Sequence, residues 1–285
     1  MVNFAAWLLV LGFLLLSVTW FLAQTPHDWN LYRIGITQCD LTYIGESNFT
    51  FRYSNIFLLL YRAAAFSHTL IWMVYTLSNY NKVWFYYTAW SWFVLCIYFG
   101  MAMLSTAAVI YKCGCNETCD KMCSCFHRLS SFSTIALILQ NCMLANSLVV
   151  TIGYWLFVFD HVYWNESSST TEQWLSVNFH GINFLLILVD YMLCTCHIYL
   201  RNLALLLTFM CSYTVYLLAE YSHNPVELAY ERWDPERQPE TSIELLALMA
   251  ISSCAYLTFM SCNGRYSKPP PSSVLPVENA IASVL

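Results

Sequence analysis

A hydroxyl and an imidazole set in separate apolar stretches are the residues of this sequence best suited to covalent chemistry. Thr88 lies near the start of VWFYYTAWSWFVLCIYFGM, and His180 near the start of WLSVNFHGINFLLILVDYML. An imidazole that takes the proton of a hydroxyl turns that hydroxyl into a nucleophile for acyl groups. Asn183 follows His180 by about one helical turn and shares its face. Asp190 is ten residues beyond His180, about 15 Å along a helix, so these two side chains cannot touch. Gly181 lets another backbone come close. Each residue also has a plainer use. Threonines fill apolar helices routinely, and His180 and Asp190 suit hydrogen bonding between helices.

The chain has 13 cysteines. Cys96, Cys142, Cys211 and Cys254 stand singly in apolar runs and read as small apolar packers. Cys113, Cys115, Cys119, Cys123 and Cys125, followed by His127, crowd into one short segment. Four readings stay open there: S-acylation of juxtamembrane thiols on a cytosolic face, a metal site of Cys and His, disulfides on an exterior face, or no role. The spacing matches no standard zinc finger, so no metal and no cofactor is assigned. Cys194 and Cys196 are weaker acylation candidates. Asn48, Asn116 and Asn165 open Asn-x-Ser/Thr sequons; Asn165 is the glycosylation candidate, because it alone falls on the exterior side of the topology below. Arg62 reads as a side chain snorkelling to the cytosolic interface, His68 as a packing histidine, and Gln140, Asn141 and Asn146 as donors and acceptors between helices.

The elements that must position these groups follow from composition. Of the 285 residues 59% are hydrophobic and 10% are charged, with 12 Lys and Arg against 17 Asp and Glu. Soluble globular chains carry about 25% charged residues. The balance excludes a cytosolic enzyme, a disordered chain and a nucleic-acid-binding domain, since the basic residues are scattered singly. With 8 glycines and no cluster of them, no phosphate-cradling loop is present. The expected class is all-α: a polytopic membrane helix bundle of six core transmembrane helices plus an extra N-terminal one.

Seven apolar runs reach the roughly 20 residues that a bilayer needs: about 4–23, 56–78, 84–111, 134–159, 175–199, 202–220 and 242–262. No proline occurs between Pro26 and Pro225, so uninterrupted helices are expected. The run in 1–23 lacks a basic lead and is read as a span, with a cleaved signal or an interfacial helix as alternatives. Residues 24–55 form a polar connector, 56–262 the six-helix membrane domain with a Cys-rich loop at 112–133, and 263–285 a disordered tail. The tail's apolar end could serve a protein partner by strand addition. Lys and Arg in the connecting segments divide eight to three, placing 24–55, 112–133, the turn near 200 and the C-terminus in the cytosol. The runs holding Thr88 and His180 then enter from the same side, which puts the two residues at similar depth.

Three stretches carry a family resemblance over about 55–265. LLLYRAAAFSHTLIWMVYTLSNYNKVWFYYTAWSWFVLCIYFGM and VNFHGINFLLILVDYML, with NPVELAYERWDP as a weaker match, resemble the rolling stone family of multipass membrane proteins. That resemblance implies a role in cell fusion, with no catalytic role generally assigned. The first two stretches are also similar to the androgen-induced membrane hydrolases, which cleave fatty acid esters of hydroxy fatty acids. This similarity implies Thr88 as nucleophile, His180 as base and, more loosely, Asp190 further along the same span. The chain departs from that family where Val177, Asn178 and Phe179 replace a further histidine, and again at CTCHIYLRN.

The functional expectation is therefore an intramembrane lipid-ester hydrolase in the plasma membrane or endoplasmic reticulum. Its partners would be membrane lipids and a lipid ester, with no nucleic acid and with a homo-oligomer as an option. The alternative is a non-catalytic protein of cell fusion, adhesion or scaffolding. A transporter, channel or receptor fits less well, because proline-broken helices and a receptor-type motif after the third run are missing.

Overall fold

The computed structural model describes residues 12, 15–19, 54–80, 86–114, 123–155, 170–194, 198–200, 202–223 and 241–262. Its helices are α1 (Ser54–Asn79), α2 (Tyr87–Gly114), α3 (Cys123–Gly153), α4 (Thr170–Val177), a π-helical turn (Asn178–Ile182), α5 (Asn183–Leu193), α6 (Asn202–His223) and α7 (Thr241–Cys262). Among the described residues the chain is all-helical. Five segments are long and apolar enough to cross a bilayer: Asn55–Asn79, Tyr87–Ile110, Ile135–Gly153, Gln173–Leu193 and Asn202–Glu220. They mark the chain as a membrane protein. A helix meets every backbone N–H and C=O internally, as lipid demands. Leu246–Cys262 within α7 is a shorter apolar stretch. Most of the run 4–23, the connector and the tail lie outside the described residues.

One stripe shows how α1 is oriented. Leu58, Arg62, Ala65, Thr69, Met73 and Thr76 are buried, at spacings of three or four. Leu60, Ile71 and Val74 on the other side are exposed, as a lipid-facing surface should be. Helix α3 is the centre of the bundle, with Gln140 through Ser147 almost continuously buried. It packs against α2, α5, α6 and α7. Hydroxyls within the spans are satisfied locally: Thr69 donates to Ala65 O (3.0 Å) and Thr76 to Trp72 O (2.7 Å). Such back-bonding to the previous turn lets a hydroxyl sit in an apolar core at little cost.

Gly100 marks a close approach of α1 to α2. A Cβ there would lie 3.2 Å from Phe66 Cε2. Gly100→Leu should destabilise the bundle by about 1–3 kcal/mol through overpacking. A thermal scan of detergent-solubilised protein reads this as a lowered Tm; an unchanged Tm would contradict the close packing of the two helices.

Three features differ from the sequence expectations. Helix α2 runs on to Gly114 and α3 begins at Cys123, so only a short connection separates them within 112–133. The segment expected over 175–199 starts at Thr170 and stops at Leu193, where Cys194 turns to φ −108°, ψ 161°. And that segment is not a plain α-helix. Asn183 N–H bonds to Asn178 O, the wider π repeat. Side-chain amides compete with the backbone here. Asn178 Nδ2 donates to Trp174 O (2.7 Å), and Asn183 Oδ1 accepts from Phe184 N–H (2.6 Å). Gly181 adds a residue of poor helix propensity. The absence of proline did not guarantee a regular helix.

Candidate functional site

Asp190 on α5 is fully buried and is met from three other helices. Arg62 on α1, equally buried, grips it with both forks: Nε to Oδ1 at 2.7 Å and Nη2 to Oδ2 at 2.9 Å. Tyr98 on α2 donates its hydroxyl to Oδ2. Gln140 Nε2 on α3 reaches Oδ2 at 3.3 Å and Cys194 Sγ at 3.0 Å. Arg62 Nη1 continues the network to Thr106 Oγ1 (2.7 Å) and Ala102 O (3.3 Å). Tyr61, beside Arg62, donates to Leu186 O (2.5 Å). An ion pair held away from water survives only when its remaining hydrogen-bonding capacity is met, as it is here.

This corrects two sequence readings. Arg62 does not snorkel to an interface; its position in the buried stripe of α1 points it inward to Asp190. Cys194 is buried against Gln140 rather than presented for acylation.

His180 sits in the π-helical turn. Its Nδ1 lies 2.9 Å from Ser176 O. A carbonyl only accepts, so Nδ1 carries the proton, and the neutral ring keeps a lone pair on Nε2. The ring stacks on Tyr154, with centroids 3.6 Å apart and planes 12° apart. Tyr154 shares a hydrogen bond with Ser176 Oγ, and Trp155 Nε1 donates to His180 O at 3.1 Å. Asn183, buried one turn on, accepts from Thr151 Oγ1 at 3.3 Å and does not bond to His180. Two further contacts pin the same turn. His68 Nε2 is 2.9 Å from Asn178 Oδ1. Phe179 stacks on Trp92 at 4.7 Å, while Trp92 Nε1 donates to Thr69 O at 2.9 Å.

Thr88 is half-buried near the start of α2. Trp92 lies one turn later on the same face, so its stack with Phe179 sets the face of α2 that bears Thr88 towards the segment that bears His180. The two helices run in the same direction, since Trp92 meets Phe179 and, further along both, Tyr98 meets Asp190. Counted from the stack, Thr88 and His180 are offset by five residues, about 7 Å. Counted from the Tyr98 bond they are level. No hydrogen bond joins them.

A second polar group lies between α2 and α3. Tyr87 donates to Asn146 Oδ1, and Asn146 Nδ2 donates to Ser91 Oγ at 2.8 Å. Tyr87 and Trp90 also pack on Phe209 and Tyr213 of α6. Asn146 and Gln140 thus bond between helices, whereas the buried amide of Asn141 has no partner among the described residues.

Asn165 lies outside the described residues, as do Cys115 and Cys119; Cys113, Cys123 and Cys125 have helical backbone, but their side chains lie outside them too. Cys96, Cys142 and Cys211 are buried and unpaired as disulfides, while Cys254 is exposed. Among the described residues no group of three or more His, Cys, Asp and Glu side chains could bind a metal ion.

Sequence reasoning named Asp190 but did not pair it with Arg62, Tyr98 or Gln140, nor Arg62 with Thr106. The signal was present for Arg62, which shares the three-four spacing of Leu58, Ala65 and Thr69. Against protein-family models, curated proteins and solved structures, the chain finds no match.

Proposed function

We propose that this protein is an intramembrane hydrolase of lipid esters, with Thr88 as nucleophile and His180 as general base. The observation that carries the reading is the π-helical turn. It ties His180 Nδ1–H to Ser176 O, leaves Nε2 as an acceptor, and packs through Phe179 on Trp92, one turn of α2 beyond Thr88. π-Turns inside α-helices are frequent at functional sites. The resemblance of both stretches to the androgen-induced membrane hydrolases supports the same assignment.

The chemistry would run in two halves. Thr88 Oγ attacks the ester carbonyl while its proton passes to His180 Nε2. The C–O bond to the leaving alcohol breaks, and the alcohol takes that proton, leaving an acyl-threonine. Water, deprotonated by His180, then releases the fatty acid and restores Thr88. Free and substrate-bound enzymes differ in such distances, and catalytic hydrogen bonds tighten on binding. The surrounding architecture is a six-helix membrane domain with Thr241–Cys262 as its last span and an additional N-terminal run. Its cytosolic face carries the Cys-rich connection, in the plasma membrane or endoplasmic reticulum.

A fluorophosphonate probe applied to membranes holding wild type, Thr88→Ala and His180→Ala at equal expression tests the assignment. Labelling of wild type that both substitutions abolish is the expected outcome. Absent labelling of folded wild type would overturn it. The non-catalytic reading, in fusion or scaffolding, would then stand on the stack of His180 with Tyr154, which is a packing contact.

A further inference from the structure

The carboxylate of Asp190 is over-determined. It accepts two bonds from Arg62, one from Tyr98 and one from Gln140, each donor residue on a different helix. A helix fixed at one such point can neither slide nor roll against its neighbours there without breaking directed, fully buried bonds. The location of that point is informative. Tyr98 follows Thr88 by ten residues on α2, and Asp190 follows His180 by ten on the segment running in the same direction. The clamp therefore joins the two helices at equal chain distance from the two reacting groups. Ten residues of helix span about 15 Å, so the clamp touches neither group.

His180 lies within the π turn, whose wider repeat changes where the imidazole points relative to a regular helix. Tyr154, Trp92 and His68 hold the turn on its own level, and Asp190 fixes the far end of the same segment. Space is open around Gly181, where an added Cβ would meet nothing within 4 Å.

We propose that Tyr98, Arg62 and Gln140 act through Asp190 as positioning residues, setting the depth and azimuth of His180 relative to Thr88. This rests on the hydrolase reading above. They touch neither substrate nor the reacting atoms. A displacement of about 1 Å in a reacting pair can cost on the order of 100-fold in rate, so loosening the clamp should slow chemistry without weakening binding.

The test separates the maximal rate of Thr88 modification by a fluorophosphonate from the probe's apparent affinity, in purified full-length protein. In that reaction Thr88 Oγ bonds to phosphorus, fluoride leaves, and the proton goes to His180. Tyr98→Phe removes one hydroxyl and keeps the ring that packs on Phe99. It should lower the maximal rate about 10- to 100-fold with affinity and Tm close to wild type. Asp190→Glu, which keeps the charge but lengthens the side chain, should show the same split. Rates equal to wild type in folded Tyr98→Phe and Asp190→Glu would overturn the positioning role while leaving the hydrolase reading intact. Absence of Thr88-dependent labelling in wild type would overturn both, and that arm is scored by itself.

Discussion

Asp190→Ala is expected to destabilise the bundle by about 3–5 kcal/mol, the cost of breaking a buried ion pair by removing one partner. The guanidinium of Arg62 would stay in a site with no solvent access, keeping Thr106 and the Ala102 carbonyl but losing the carboxylate that grips it with both oxygens. Tyr98 and Gln140 would each lose an acceptor as well. Lipid sharpens the effect, because a charge at membrane depth has no water to turn to. Replacing both partners with apolar residues, as in Arg62→Met with Asp190→Leu, should recover most of the loss, since buried pairs are often replaceable by well-packed hydrophobic residues. Denaturation in detergent, followed by tryptophan fluorescence, gives both numbers. A single substitution costing under about 1 kcal/mol, or a double variant no better than the single, would show that the pair is not a closed buried unit. Trp92 and its Phe179 stack lie within the same bundle, so the probe reports on the relevant packing.

How far the sequence could be read depended on what each signal measures. Hydrophobic length is a property of the chain alone, so the runs at 56–78, 84–111 and 202–220 coincide closely with Ser54–Asn79, Tyr87–Gly114 and Asn202–His223. Azimuth is not such a property. Arg62 looked like an interfacial residue by distance from the start of its run, but its place in the Leu58–Ala65–Thr69 stripe sends it to the core. Weighing that register would have paired it with an acidic residue, and Asp190 is the one acid well inside an apolar run. The π turn was less accessible. It arises from three weak influences acting together, the amides of Asn178 and Asn183 and the poor helix propensity of Gly181, and none of them breaks a helix by itself. The expectation of matched depth for Thr88 and His180 came from counting residues from span ends. Crossing helices and long aromatic side chains make such counts good only to a turn or so, which is the spread between the Trp92 and Tyr98 reference points.

On the proposed hydrolase assignment, the second large effect is catalytic. His180→Ala should lower ester hydrolysis by about 10²–10⁴-fold, the usual contribution of a positioned general base. That corresponds to roughly 3–5 kcal/mol in the barrier. Thr88→Ala should cost at least as much, because it removes the atom proposed to form the acyl intermediate. The decisive number is the double variant. Residues that act as one unit are grossly non-additive, so Thr88→Ala with His180→Ala should be no slower than the worse single variant. The His180 substitution also deletes a ring stacked on Tyr154 and a bond to Ser176 O, so its stability must be measured beside its rate. His180→Gln keeps a polar side chain of similar length, supplies no base, and should lose rate comparably at a Tm nearer wild type. If His180→Gln hydrolyses lipid esters at the wild-type rate, or if the two losses multiply in the double variant, His180 is a packing residue of the π turn and Thr88 does not depend on it.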